Sequence, residues 1–375
     1  VDLDLPREVV AFRDEVREWL AANVPGPLPP MDTAEGIEPH REWERRLAGA
    51  RLSAVTWPRE YGGRGASLLE WLIFEEEYYA RGAPGRVSAN GIALLGSTLL
   101  ALGTDEQRQR ILPRMARADD IWAQAWSEPD AGSDLAAVRS RAVRADGGWV
   151  LSGQKTWSSR AAVADRAFGL FRSDPAAERH RGLTYLMFDL RAEGVTVRPV
   201  PQLDGTPGFA ELFLDEVFVP DEDVIGEPGD GWRVAMSTAS NERGLTLRSP
   251  GRFTAAADRL VALFRDDPDP AQRDRVADAW IGAQAYRLYT LGTISRLAEG
   301  GRLGAESSVN KIFWSELDIA LHETALDLLG ADGELESDWL GGYLFSLAGP
   351  IYAGTNEIQR NVVAERLLGL PRGDR

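Results

Sequence analysis

Apolar positions recur at helical spacing over the first third of the chain. Val9, Phe12, Val16 and Trp19 form one stripe behind Pro6, and Pro25-Gly-Pro27 closes it. Trp43 and Leu47 mark a second helix. Trp57–Gly65 interrupts the pattern with a glycine-rich loop. No strand precedes this loop and it lacks the phosphate-loop spacing, so it is not a phosphate loop. Helices are expected again over Leu68–Tyr79 and Ser88–Leu102. Thr104-Asp-Glu-Gln107 is a capping box for a helix running to Met115.

After Asp120 the period shortens. Arg139–Arg144 and Trp149–Leu151 flank Ala145-Asp-Gly-Gly148, a hairpin signal. Arg166–Arg172, Leu183–Leu190, Val195–Val200 and Glu211–Val219 are further strand candidates, and Pro220 with Gly226–Gly231 closes the region. From Trp232 the helical period returns. Val276, Trp280, Ala283, Leu291, Ile294 and Ala298 mark one long helix. Phe313, Leu317, Ala320, Thr324 and Leu328 mark another, ended by Gly330 and Gly333. Asn356–Leu370 is a last helix, stopped by Pro371. The chain therefore reads as a multidomain α+β protein. An N-terminal helical domain (1–120) is followed by a middle β-barrel or sandwich (121–229) and a C-terminal four-helix bundle (230–375).

Composition narrows the function. The net charge of −16 repels nucleic acid and anionic membrane surfaces, and it requires any site for an anionic ligand to be locally basic. There is no cysteine, which removes disulfides, iron–sulfur ligation and thiol nucleophiles. His40, His180 and His322 stand far apart and suggest no metal site. The acidic N-terminus reads as no signal peptide. The longest uncharged run, Val87–Thr104, reads as a buried helix and not as a membrane span. A cytoplasmic location is the expectation. Lys155 and Lys311 are the only lysines.

Two segments of the β region carry the candidate chemistry. Gln124-Ala-Trp-Ser-Glu-Pro-Asp-Ala-Gly-Ser-Asp134 holds the hydroxyls of Ser127 and Ser133 and a turn containing Gly132. Gly153-Gln-Lys-Thr-Trp-Ser-Ser159 sets the Trp157 indole directly before two hydroxyls. Hydroxyls and backbone N–H groups can bond the edge of a polar aromatic ring while an indole walls one side, which suits a flavin.

Both segments resemble signature segments of the acyl-CoA dehydrogenases, and Ile351-Tyr-Ala-Gly-Thr-Asn-Glu-Ile-Gln-Arg360 resembles that family's third. The resemblance covers nearly the whole chain. It implies FAD bound without a Gly-x-Gly-x-x-Gly motif, which this chain lacks. It also implies α,β-dehydrogenation of an acyl-CoA, an electron-transfer flavoprotein as acceptor, and a tetramer. Gln124, Trp126, Ser127, Gly132 and Ser133 would line the flavin, with Ser133 also beside the acyl-CoA. Trp157, Ser158 and Ser159 would pack on the other side of the ring. Thr355 and Glu357 would meet the adenosine side, and Tyr352, Ala353 and Gly354 the substrate.

The chain departs from the family at four places. Ala353 stands where many members carry the catalytic carboxylate, and a methyl group accepts no proton. Some members carry that carboxylate on a helix just before an Arg. Asn241-Glu-Arg-Gly244 matches this pattern and makes Glu242 the candidate base. Arg243 reads equally as a surface ion and as a brace for that helix. Trp-Ser-Ser replaces the family's Trp-Ile-Thr. No Arg-x-x-Phe stretch is found around Ala255–Tyr289, and Asp327 stands where a flavin-contacting Gln is common. An acid there would repel a pyrophosphate. The adenine half of the site is thus rearranged, or supplied by a second acyl-CoA dehydrogenase-like chain in a hetero-oligomer. Three other readings stay open: a flavin oxidase or monooxygenase of the same fold, an enzyme acting on a carrier-protein thioester, and a non-catalytic partner subunit.

Overall fold

Residues 4–242 and 249–372 are described by the computed structural model, with the side chains at 240–242 outside that description. Among the described residues the helices run α1 (Arg7–Asn23), α2 (Ile37–Gly49), α3 (Leu68–Ala80), α4 (Ser97–Leu102), α5 (Asp105–Ala116), α6 (Gly231–Glu242), α7 (Pro250–Asp266), α8 (Arg273–Ala298), α9 (Glu306–Leu329), α10 (Asp338–Ser346) and α11 (Asn356–Val362). The strands are β1 (Trp122–Ala125), β2 (Arg141–Ala145), β3 (Gly148–Ser159), β4 (Arg166–Arg172), β5 (Leu183–Asp189), β6 (Val195–Val200), β7 (Phe209–Pro220) and β8 (Val224–Ile225). The order is helical, then β, then helical, as the hydrophobic periods required.

These elements group into two compact units that do not follow chain order. In one, α1 and α3 join α7–α11. Helix α3 has no polar face to spare, because Trp71, Leu72, Ile73, Phe74 and Tyr78 are all buried. It packs on α1 and α7. Where it meets α7, a Cβ on Gly251 would lie 2.7 Å from the Glu75 carbonyl oxygen, so the approach depends on glycine. Phe253, Leu260, Tyr286, Trp314 and Leu321 fill the core of this unit. The helical stripes are offset from those expected. Leu20 is buried while Trp19 is only partly covered, and Trp280 and Phe313 are 42% and 41% exposed. Helices α8 and α9 are apolar on more than one side, and their own bundle covers just one.

In the other unit, α2, α4 and α5 are grouped with the sheet, and α6 packs on β4 and β5. The main path of the sheet is β6-β7-β3-β2-β4-β5-β8, with β1 paired parallel to β4. The hairpin closes at the Ala145–Gly148 pair, and Gly147 takes φ +72°. Strand β3 continues to Ser159, beyond the expected Leu151, because β7 pairs with its second half. The short β1 and β8 carried no periodic signal. The expected helix over Ser88–Leu102 contains a π-helical turn at Gly91–Gly96. A Cβ on Gly96 would lie 2.1 Å from the Trp57 ring, so the widened turn is seated against that indole. The capping box is formed, with Thr104 accepting from the Gln107 N–H. The last helix passes into a π turn ending at Leu367, short of Leu370.

No helix among the described residues is long and apolar enough to cross a membrane. Nor do the described residues contain a His/Cys/Asp/Glu cluster able to hold a metal ion.

Candidate active site

Strand β1 delivers Gln124 and then Trp126 and Ser127 from the sheet. A tight turn follows, in which Glu128 and Ala131 exchange backbone hydrogen bonds of 2.9 and 3.1 Å. The turn is Glu128–Ala131, so the turn expected to contain Gly132 closes just before it. Gly132 and Ser133 lie exposed beyond it, and a Cβ on Gly132 would meet nothing within 4 Å. Gly132 is therefore not demanded by the backbone.

The turn is anchored by residues that sequence reasoning left out. Lys155 is fully buried, and its three ammonium protons have three acceptors: Glu128 Oε1 at 2.8 Å, the Leu170 carbonyl at 2.7 Å and the Trp126 carbonyl at 3.3 Å. The Glu128 carboxylate also accepts from the N–H groups of Arg139 (2.6 Å) and Ser140 (2.9 Å). Burial pushes the Glu128 carboxyl up, but the Lys155 charge and these bonds pull it further down, below the ordinary carboxylate value. Burial lowers Lys155, and Glu128 offsets part of that. A buried pair this well satisfied holds two strands in one register. The signal available in the sequence was the scarcity of lysine, with one of two lysines inside a site segment.

The Thr156 N–H donates to the Ser127 carbonyl at 2.9 Å, so both segments of the β region form one surface. Between Lys155 and Ser158 the register against β7 slips. At the slip Trp157 takes φ +57°, unusual for a bulky residue. The bulge reverses the pleat. Trp157 is 61% exposed, held edge-to-face on Phe209 at 5.8 Å, while Ser158 is fully buried. The buried Ser158 hydroxyl has no hydrogen-bond partner, and Ser127 and Ser159 are partly exposed beside it. A strained, outward-turned indole next to an unsatisfied hydroxyl fits a planar, hydrogen-bonding cofactor such as a flavin.

The other unit carries the third segment. Ala353 (φ +57°) and Gly354 (φ +81°) are successive left-handed residues. Gln359 Nε2 donates to both their carbonyls, at 3.1 and 3.2 Å. A Cβ on Gly354 would lie 2.5 Å from that same nitrogen. Thr355 caps α11 by accepting from Ile358 N–H at 3.2 Å. Lys311, also fully buried, donates to Asn356 Oδ1 at 2.8 Å, and Ser315 adds a second bond at 3.2 Å. Tyr352 stacks on Trp314. Glu357 is exposed, and its carboxyl is held down first by its own backbone N–H and then by the Thr355 hydroxyl. Asp327 is paired with Arg275, which offsets the charge that would oppose a pyrophosphate.

Glu242 is the last residue of α6, a helix that packs on β5 and α4 in the unit of the sheet. Its side chain, and all of Arg243, lie outside the described residues.

A helical section, a β section bearing the paired site segments and a second helical section together form the three-domain architecture of a flavin-dependent oxidoreductase. The chain belongs to the acyl-CoA dehydrogenase family: models of its N-terminal, middle and C-terminal domains match residues 6–119, 123–217 and 229–368. Acyl-CoA dehydrogenase IpdE1 of Mycobacterium tuberculosis is 41% identical, over 98% of this chain and 99% of its own. Among solved structures, the Tcur3481-Tcur3483 steroid ACAD is similar with a TM-score of 0.89 and 28% identity, covering 100% of both chains. The ChsE4-ChsE5 complex from Mycobacterium tuberculosis is similar with a TM-score of 0.85 and 27% identity, again over 100% of both chains.

Proposed function

We propose that this protein binds FAD and dehydrogenates an acyl-CoA thioester of the steroid type, with Glu242 as the base that removes the α proton. The observation that carries the reading is the third segment. It is built in full, with left-handed Ala353-Gly354 and the Thr355 cap, yet it presents a methyl group where many relatives act with a carboxylate. The end of α6 supplies a glutamate instead.

Ser127, Trp157, Ser158 and Ser159 would hold the flavin ring, and Gln124, Trp126, Gly132 and Ser133 would border it. Thr355 and Glu357 would serve the adenosine side, and Tyr352, Ala353, Gly354 and Arg243 the substrate. When bound, the flavin supplies the acceptor for the hydride leaving the β carbon. Glu242 takes the α proton, a task that needs a carboxyl raised toward neutrality by a dry cleft. The names of the steroid ACAD and the ChsE4-ChsE5 complex support a polycyclic acyl group and assembly with a second, unlike chain. An electron-transfer flavoprotein is the proposed acceptor.

The test is anaerobic mixing of the FAD-loaded protein with straight-chain and steroid-side-chain CoA esters while following flavin absorbance. Bleaching by the steroid ester, faster than by octanoyl-CoA, is expected. Colourless protein that takes up no FAD, alone or with its co-purified partner, would overturn the reading.

A further inference from the structure

One buried amide sets the backbone of the third segment. Gln359 is buried, and its Nε2 donates to two successive carbonyls, Ala353 at 3.1 Å and Gly354 at 3.2 Å. The Gln359 N–H donates to the Thr355 carbonyl at 2.9 Å, so α11 carries the amide back onto the segment that precedes it. Gly354 leaves the room for this approach, since a Cβ there would lie 2.5 Å from Nε2. The Gln359 Oε1 is buried without a hydrogen-bond partner. An unpaired buried acceptor costs stability, and an apolar chain of the same shape would avoid that cost. What the glutamine adds is the pair of protons on its nitrogen.

The direction of two backbone N–H groups follows from this. A trans peptide unit is planar, and its C=O and N–H point opposite ways. The Ala353 carbonyl shares a plane with the Gly354 N–H, and the Gly354 carbonyl shares one with the Thr355 N–H. Both carbonyls are turned onto Gln359, so both N–H groups face away from it. Neither has a hydrogen-bond partner among the described residues. The Ala353 N–H has none either, but its plane is not one that Gln359 holds. Gly354 is exposed and Thr355 partly so.

We infer that Gln359 is a positioning residue: by holding two successive peptide planes it turns the Gly354 N–H outward as a hydrogen-bond donor to the acyl-CoA. The Thr355 N–H is turned the same way beside it. Without the amide, the left-handed pair at Ala353 and Gly354 loses the bonds that select this orientation, and the donor is no longer aimed. This role deepens the proposed substrate site and rests on Gly354 bordering the acyl-CoA.

The test uses full-length, FAD-loaded protein without air, with the steroid-side-chain CoA ester as probe. Hydrogen exchange, resolved to single amides by fragmentation, reads the Gly354 N–H directly. In the parent, saturating ester should slow exchange at Gly354. Gln359→Met keeps the size of the side chain and removes the donors. It should need about three- to tenfold more ester for half-maximal flavin bleaching, the size of one lost neutral hydrogen bond. Its Gly354 amide should stay unprotected even at saturation, a loss that mere packing would not cause. Gly354→Ala pushes the amide away from the other side and serves if Gln359→Met does not fold; it should show the same weakened binding and the same unprotected amide at 354. Bleaching of the parental flavin with no protection at Gly354 would overturn the inference and leave the functional reading standing. So would a Gln359→Met protein with parental ester binding and full protection. A parental flavin that no CoA ester bleaches would overturn both.

Discussion

The Thr156 N–H reaches the Ser127 carbonyl at 2.9 Å, and this bond makes one surface of two segments that lie apart in the chain. Beneath it, Lys155 and Glu128 lock the same two segments from inside the fold, 2.8 Å apart. The surface therefore depends on a buried ion pair.

Lys155→Met should destabilise the protein by about 3–5 kcal/mol, because it leaves the Glu128 carboxylate buried without its cation. The Lys155→Met, Glu128→Gln double variant should regain part of that loss. Denaturant midpoints for the two variants and the parent check this. A Lys155→Met protein as stable as the parent would contradict the clamp.

Trp157 should show two separable effects. Trp157→Ala should weaken FAD binding by roughly 1–2 kcal/mol, as expected for a lost aromatic wall. Trp157→Gly should bind FAD as poorly as Trp157→Ala but be more stable than it by about 1 kcal/mol, because glycine accepts φ +57° without strain. FAD titration and thermal unfolding of the pair measure these separately. Equal stability would show that the bulge relaxes when the indole is gone.

Glu242→Gln should slow flavin reduction by ~10²–10⁴-fold with FAD content unchanged, the usual contribution of a general base. Adding Ala353→Glu to that variant should restore part of the rate. The left-handed backbone at 353 already presents its Cβ from the loop that carries the carboxylate in many relatives. Stopped-flow reduction decides the matter, and a parental rate in Glu242→Gln would dismiss the residue.

Glu44 should make stability depend on pH. It is fully buried, and desolvation raises its pKa from 4.5 to about 7, against the bonds from Ser88 and the charges of Arg86 and Arg160. Between these values the folded protein keeps a proton that the unfolded chain has released. The stability tied to this group is complete below pH 4.5 and is lost as pH rises through about 7. Glu44→Gln keeps both Ser88 contacts and removes the titration. The variant should therefore gain on the parent across this window by up to about 3 kcal/mol. Parallel melting curves at every pH would contradict this.

Assembly should cover the outer side of α8 and α9. Trp280, Ile281, Leu288 and Phe313 are each more than 40% exposed there, an apolar surface of the kind that marks an association site. Solution scattering of the FAD-loaded protein should report a tetramer, of this chain alone or with a second. A monodisperse monomer that retains FAD would contradict it.

The sequence by itself determined the succession of helical and β sections, because the period of apolar positions changes where the backbone does. It also showed the Thr104 capping box and the Ala145–Gly148 hairpin, both written in local chemistry, and offered three candidate site segments through their resemblance to a family. Only the tertiary structure decided that α1 and α3 share a core with α7–α11 while α2 and α4–α6 join the sheet. An apolar stripe shows that a face is buried, not which neighbour buries it. For the same reason the stripes containing Trp280 and Phe313 could not show that both residues stand in the open. The outward turn of Trp157 was hidden too, since a bulge exists only through the register of its partner strand. Lys155 shows the limit most plainly: its residue type says surface, and only the acceptors assembled by β1, β4 and the Glu128 turn make burial affordable.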